Sequence, residues 1–240
     1  MRINRFFIEG VDLNIGGKIR INDPEILNQV RNVLRFKMGD EFMVCDGRLN
    51  EARVRLARFD KNSFEVEVLD ISKNQNEPAR RVILYCSILK KENFGLVAQK
   101  ATEIGISEIV PIITERTVKL SLNMERLQKI VREAAEQSGR GIVPTLHEPV
   151  DFPIAVRHRM SDSYGSSVNI FLDQSGVLFS SLRATNHGLL TTIWVGPEGG
   201  WIQDELELAT KKGFFVVSFG HLTFRAETAA ICGVFHALYL

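Results

Sequence analysis

The sequence predicts an α/β protein in two parts: a small, mostly antiparallel β domain, then a larger α/β domain built on a mainly parallel sheet. Three observations carry this. Up to about residue 71, short segments alternate apolar and polar residues between turn signals. Beyond residue 80 the rhythm changes to near-continuous apolar runs separated by segments of helical period, the pattern of buried parallel strands with covering helices. Between the two lies SKNQNEPAR at residues 72–80, polar and nearly free of apolar groups.

In the first part, RFFIEG, KIRI, DEFMVC, EARVRLARF and SFEVEVLDI read as strands of a small β-barrel or sheet, bounded by IGG, DG and DKN. One helix interrupts them. Asp23 is its N-cap and Pro24 its first-turn residue, before EILNQVRNVLR, where Ile26, Val30, Val33 and Leu34 form an apolar stripe and Gly39 marks the stop. The polar segment is a natural linker, so the expected division is a first domain over 1–72, a linker over 73–80 and a second domain over 81–240.

In the second part, RVILYCSIL is a buried strand, ENFGLVAQKATEI a helix ended by Gly105, and SEIVPIIT the next strand. MERLQKIVREAAEQSG places Leu127, Ile130, Val131, Ala134 and Ala135 on one helical face, with Asn123 as N-cap. VNIFLDQ, LLTTIWVG and FFVVSFG follow as buried strands, the last two leading into helices.

Composition narrows the class. The chain has 240 residues, 45% of them hydrophobic and 25% charged, as soluble globular proteins do. No apolar run approaches the roughly 20 residues that span a bilayer, and MRINRFFIEG lacks a signal-peptide pattern, so a cytoplasmic protein is expected, with no membrane association. Cys45, Cys86 and Cys232 are far apart and the five histidines are scattered, which predicts neither a disulfide framework nor a metal site. With a net charge of +1, any RNA binding has to rest on local patches.

In an open parallel sheet, ligands settle at the carboxyl ends of strands. Three such ends stand out: LDQSG at 172–176, VGPEGG at 195–200 and FGHLTFRAET at 219–228. The chain lacks GxGxxG after its first parallel strand, GxxxxGK[ST] and GxSxG, which argues against a Rossmann dehydrogenase, a P-loop enzyme and an α/β-hydrolase. Three glycines within VGPEGG exceed what a plain turn needs. They mark either a stiff strand-to-helix turn or a backbone that a ligand approaches closely.

VGPEGG before an acidic helix start, followed by FG and FRAETA running into an apolar C-terminal helix, closely resembles the ribosomal RNA uridine-N3 methyltransferases of the SPOUT, or trefoil-knot, superfamily. QKATEIG, ERT at 115–117, EAAEQSGR at 133–140 and the VLR, GDE and DG run of the first part extend the resemblance over nearly the whole chain. It implies a PUA-like RNA-binding β-barrel followed by a knotted α/β domain that binds S-adenosylmethionine, a homodimer, and methylation of a uridine in 16S ribosomal RNA of the small subunit. A non-catalytic RNA-binding protein retaining the SPOUT fold is the alternative, but it would need neither GPEGG nor RAETA intact. Two departures are plain: Gln29 stands where the family usually has histidine, and Leu222 where it has a basic residue.

The resemblance implies a cofactor site of Leu172, Val195, Gly196, Glu198, Gly199 and Gly200 on two loops, with Phe219, Gly220, Leu222 and Phe224 on the third. Methylating a uracil nitrogen requires a proton acceptor or a stabilised uridine anion, held in line with the methyl donor. Arg225 suits the electrostatic role, facing a uracil oxygen or an RNA phosphate. Glu227 either stabilises the start of the last helix or contacts cofactor or substrate as proton acceptor. For RNA, Arg31, Arg35 and Lys37 give a helix end three positive charges, and alternation turns Arg53 and Arg55 outward; Arg5 joins them. Arg116, Gln137 and Arg140 match family positions that reach the site or the RNA from a facing subunit. The final AAICGVFHALYL is apolar on most of its circumference, so it is either buried in its own domain or, as the resemblance implies, part of a homodimer interface.

Overall fold

The computed structural model describes residues 3–90, 92–118, 121–161, 167–182 and 190–240. The chain divides into two compact units, one of residues 1–77 with 135–143, the other of residues 78–134 with 144–240.

The first unit holds β1 (Arg5–Phe7), β2 (Lys18–Ile21), β3 (Glu41–Cys45), β4 (Asn50–Phe59) and β5 (Phe64–Lys73) in one sheet, ordered β1-β3-β4-β5-β2. All pairs are antiparallel except β1 with β3. Alternation works as expected: Val54, Leu56, Val66 and Val68 turn inward around Phe42 and Phe64.

The helix in this unit departs from expectation. Asp23 accepts from the backbone of Glu25 and Ile26, and α1 (Pro24–Asn28) begins on Pro24 as anticipated. The next turn, Gln29–Val33, widens to π geometry, with the Leu34 N–H reaching back to the Gln29 carbonyl, and Arg35 takes φ +56°. The helix thus stops at Arg35, before Gly39. The extra residue in the turn rotates the stripe, so Ile26 and Val30 are buried while Val33 and Leu34 face solvent.

Nor is the segment after β5 a solvated tether. Asn74 is buried and its amide donates to Glu51 and to the Gly139 carbonyl, which also accepts from Asn76. Glu77 accepts from Arg140 through both carboxylate oxygens and from the N–H groups of Gly141 and Ile142. Any Cβ at residue 141 would lie 2.6 Å from the Asn74 Cβ, so Gly141 lets the two segments close.

The second unit holds β6 (Arg81–Ser87), α2 (Asn93–Ile104), β7 (Glu108–Ile113), most of α3 (Met124–Ser138), β8 (Thr145–Leu146), β9 (Val150–Asp151), α4 (Phe152–Ser161), β10 (Ser167–Leu178), β11 (Leu190–Val195), α5 (Gln203–Lys211), β12 (Phe215–Ser218) and α6 (Ala226–Tyr239). Every strand pair is parallel, in the order β12-β10-β11-β6-β7-β8, with β9 also on β7. Gly105 caps α2 at φ +116° and Asn123 caps α3 through the Arg126 N–H. Strand β11 is buried at all six positions. Its polar residues are paired: Trp194 donates to Thr192, which donates to Asn169, and the indole stacks on Tyr85 at 3.9 Å. Helix α4 and the short β8 and β9 carry no periodic signal long enough to be read from sequence.

Removing the Glu77 carboxylate would take from the Arg140 guanidinium, which is 5% exposed, its ion pair with Glu77 and from the Gly141 and Ile142 N–H groups their acceptor. Glu77→Ala is expected to lose about 2–3 kcal/mol in urea denaturation, far more than a surface substitution. A loss below ~0.5 kcal/mol would show that the clip is dispensable.

Candidate active site

Because β6, β10, β11 and β12 run parallel, their carboxyl ends share one edge of the sheet, and their loops enclose a cavity of about 790 Å³. On β10 the pairing with β12 shifts register between Leu172 and Val177, and residues 173–176 bulge out. The bulge needs glycine: a Cβ on Gly176 would sit 2.4 Å from the backbone of Val217. Asp173 closes it by accepting from the backbone and hydroxyl of Ser175.

The loop after β11 is fixed from several sides. Trp201 folds back under it, donating to the Leu172 carbonyl at 3.0 Å and stacking on Phe171. A Cβ on Gly196 would stand 2.9 Å from that indole ring. Gly200 holds φ +71° and donates to the Pro197 carbonyl. Two of the three glycines are therefore required by the turn itself, one of the two readings that the sequence left open. Arg116 donates to the carbonyls of Gly199 and Trp201, and its side chain packs 3.4 Å from where a Gly199 Cβ would be. Glu198 accepts from the Lys90 N–H, and Glu205 accepts from the N–H groups of Glu115 and Ile202, capping α5.

The third loop, 219–225, leaves β12 through Gly220 at φ +113° and enters α6 with Arg225 extended at the N-cap. Gln174 donates to the Thr223 hydroxyl, linking this loop to the β10 bulge. Arg225 is exposed on the cavity wall. Glu227 is the second residue of α6, in its first turn, and its Oε2 is buried without a hydrogen-bond partner among the described residues. At the end of β6, burial, reinforced by the carboxylates of Glu198 and Glu227, pushes the Cys86 thiol far above its ordinary range, so it stays protonated and inert. Helix α6 sits close on the sheet because a Cβ on Gly233 would lie only 3.0 Å from Ile193 and Leu172.

Comparison with known proteins now decides the family. A family model described as an RNA methyltransferase domain matches residues 75–235, and one described as an RNA methyltransferase PUA domain matches residues 25–69. The chain belongs to the RNA methyltransferase family. It is 31% identical over 242 residues to ribosomal RNA small subunit methyltransferase E of Rickettsia conorii, spanning 98% of this chain and 94% of that one. The protein of the same name from Synechocystis sp. is 35% identical over 205 residues, spanning 85% of this chain and 67% of that one. A crystal structure of ribosomal RNA small subunit methyltransferase E from Neisseria gonorrhoeae bound to S-adenosyl methionine superposes with a TM-score of 0.86 at 26% identity, covering 97% of this chain and 95% of that one. The second unit is thus a SPOUT-type α/β domain and the first contains a PUA-like β domain, the fold class that the motifs implied.

All ten residues expected at a cofactor site, Leu172, Val195, Gly196, Glu198, Gly199, Gly200, Phe219, Gly220, Leu222 and Phe224, line the cavity, as do Arg225 and Glu227. The residues expected at RNA divide differently. Arg35, Lys37 and Gln137 are exposed. Arg53 and Arg55 are exposed but share Glu41, whose carboxyl the Arg55 hydrogen bond holds below its usual range. Arg5 is paired with Glu51, and Arg31 donates to the Asp60 and Lys61 carbonyls while lying over the Phe59 ring. Arg116 serves the glycine loop, and Arg140 is buried against Glu77, so both guanidiniums are already engaged within their own units. Among the residues that sequence did not single out, Asn93, Asp173, Gln174, Ser175, Trp201 and Thr223 also line the cavity. Trp201 had a signal: a large aromatic directly after a run of glycines.

The contrast between neighbouring glycines is testable. Gly196→Ala forces the Trp201 ring aside and should cost about 1–3 kcal/mol, with a shift in tryptophan emission. Gly199→Ala meets only the flexible Arg116 stem and should cost under ~1 kcal/mol. Equal effects in denaturation would refute the role given to Trp201.

Proposed function

We propose that this protein transfers the methyl group of S-adenosylmethionine to N3 of one uridine in 16S ribosomal RNA of the small subunit. The carrying observation is the convergence on one cavity of three fixed loops, an exposed arginine and a half-buried glutamate whose Oε2 has no hydrogen-bond partner among the described residues, in a chain of the RNA methyltransferase family. The names of its relatives and the S-adenosyl methionine in the neisserial structure support the same reading.

The residues present fit that cofactor. Leu172, Val195 and Val217 are buried apolar walls, and residues 196–200 with Phe219, Gly220 and Leu222 line the same space, a lining suited to an adenosyl group. When bound, S-adenosylmethionine supplies an electrophilic methyl group. The chain's own task is then to orient the uracil and remove its N3 proton. Glu227 accepts that proton on its carboxylate. Arg225, always charged, faces the uracil oxygen where negative charge gathers as the proton leaves. Arg116, Glu198 and Glu205 keep the glycine loop from adjusting during the reaction, so alignment costs nothing at that moment.

In this reading residues 1–72 bind RNA, chiefly through Arg35, Lys37, Arg53 and Arg55, residues 73–80 connect, and residues 81–240 carry the chemistry. The protein works in the cytoplasm, where its ribosomal substrate is; no helix among the described residues is long and apolar enough to cross a membrane. It is also a homodimer: α6 buries Ala230, Val234 and Ala237 in its own unit yet leaves Phe235 49% and Tyr239 54% exposed, a side-by-side aromatic pair suited to a two-fold contact.

Incubation with labelled S-adenosylmethionine and small subunits should yield N3-methyluridine on nucleoside analysis; label in another nucleoside overturns the assignment. Arg225→Ala should keep cofactor affinity within several-fold in calorimetry while single-turnover methylation falls by roughly two to three orders of magnitude. Normal turnover in that variant removes Arg225 from the chemistry. Phe235→Glu should give a folded monomer with little activity, and unmodified protein that is monomeric and fully active in light scattering would exclude the dimer.

A further inference from the structure

A side chain that serves a ligand keeps its hydrogen-bonding groups clear of its own protein. Most polar side chains on the cavity wall do not. Asp173 accepts from Ser175, and Gln174 donates to Thr223. Glu198, Trp201 and Ser218 bond backbone groups of Lys90, Leu172 and Gly176. Three are left, Asn93, Arg225 and Glu227, whose side chains make no hydrogen bond among the described residues. Asn93 does not cap its own helix either: it is the first residue of α2, one place inside the cap position held by Glu92. Two backbone bonds fix its place, since the Asn93 N–H donates to the Lys90 carbonyl at 3.2 Å and the Lys90 N–H donates to Glu198 of the glycine loop at 2.8 Å. Helix α6, with Arg225 at its cap and Glu227 as its second residue, packs against α2, and both helices start from the carboxyl edge of the parallel sheet. The three unused side chains therefore meet the cavity from adjacent helix starts.

We infer that the Asn93 carboxamide donates a hydrogen bond to one carbonyl oxygen of the target uracil while Arg225 meets the other; this rests on the function proposed above. The edge of uracil presents O4, N3–H and O2 in sequence, an acceptor, a donor and an acceptor. Its complement is a donor, an acceptor and a donor, the set that Asn93, Glu227 and Arg225 leave unused. As the N3 proton passes to the Glu227 carboxylate, the charge left on the ring spreads over both oxygens, so a donor at each stabilises the anion that takes the methyl group. Cytosine fits this set badly. Its N3 carries no proton, and the lone pair there would face the Glu227 carboxylate. Asn93 also stands on α2, outside the three loops whose residues make up the cofactor site. It is on this account a specificity-determining residue for the base.

The test is a cycle of protein and base substitutions. The RNA fragment methylated by unmodified protein is prepared with uridine, 2-thiouridine or 4-thiouridine at the target, because sulfur is a weak hydrogen-bond acceptor. Affinities for the three RNAs are measured with S-adenosylhomocysteine bound, and single-turnover rates on the uridine RNA, for unmodified protein, Asn93→Ala and Asn93→Asp. Asn93→Ala should methylate the uridine RNA about a hundred-fold more slowly and bind it about five-fold more weakly, with S-adenosylhomocysteine affinity in calorimetry within about two-fold. The weakening should vanish with one thiouridine, the one lacking the oxygen that Asn93 serves, and persist with the other. Asn93→Asp keeps the size of the side chain and suits a helix start but has no donor, so it should be at least as slow as Asn93→Ala. Normal turnover in Asn93→Asp, equal weakening of all three RNAs, a loss of S-adenosylhomocysteine affinity, or no change at all would overturn the inference. Unmodified protein that fails to bind S-adenosylhomocysteine or to methylate RNA refutes the proposed function and this inference together, and does so before any variant is made.

Discussion

The space that Gly196 leaves for the Trp201 indole is the constraint on which the cavity depends. The ring fills the gap under the loop, ties it to the Leu172 carbonyl and joins it to the aromatic core of Phe152 and Phe171. One indole thereby sets the relative height of the β10 and β11 loops. Everything else in the wall is built outward from it: Arg116 holds the outer carbonyls, Glu198 reaches the β6 end, and Glu205 fixes where α5 starts. A loop with this many internal partners is a fixed feature that meets a ligand without reorganising.

Charge is placed with the same economy. Several carboxylates near the cavity are consumed as acceptors of backbone N–H groups, so they stiffen loops and are unavailable for proton transfer. Glu227 is the contrast, since its Oε2 has been removed from solvent without a compensating bond among the described residues. Folding tolerates such an atom only at a cost of about 1–3 kcal/mol, which sets it apart from the carboxylates that surround it.

Much of this was legible in the sequence. Continuous apolar strands, Gly105, Asn123 and Asp23 located the elements, because periodicity and cap chemistry are local. The loops at the strand ends were legible from topology, since parallel strands gather their carboxyl ends on one edge. What was hidden depends on partners distant in sequence. Nothing around Arg116 or Arg140 says that each guanidinium is taken up inside the protein, by carbonyls at 199 and 201 in one case and by Glu77 in the other. The π turn at Gln29–Val33 was invisible for a related reason: one added residue leaves the composition helical while turning Val33 and Leu34 off the core face.

The discontinuity of the first unit has a temporal meaning. Its sheet is encoded by residues 1–77, but Asn74, Asn76 and Glu77 find their partners in 139–142, and Phe7 and Cys45 pack against Ala135 and Val143. A nascent chain released only through residue 77 therefore presents the Glu77 carboxylate and the Phe7 side of the sheet without the groups that satisfy them. The unit can close only after the segment through residue 143 has left the ribosome, so its completion is coupled to synthesis of the β6, α2 and β7 region that lies between. Cutting the gene after the last strand of the sheet would strand the domain at that half-finished stage.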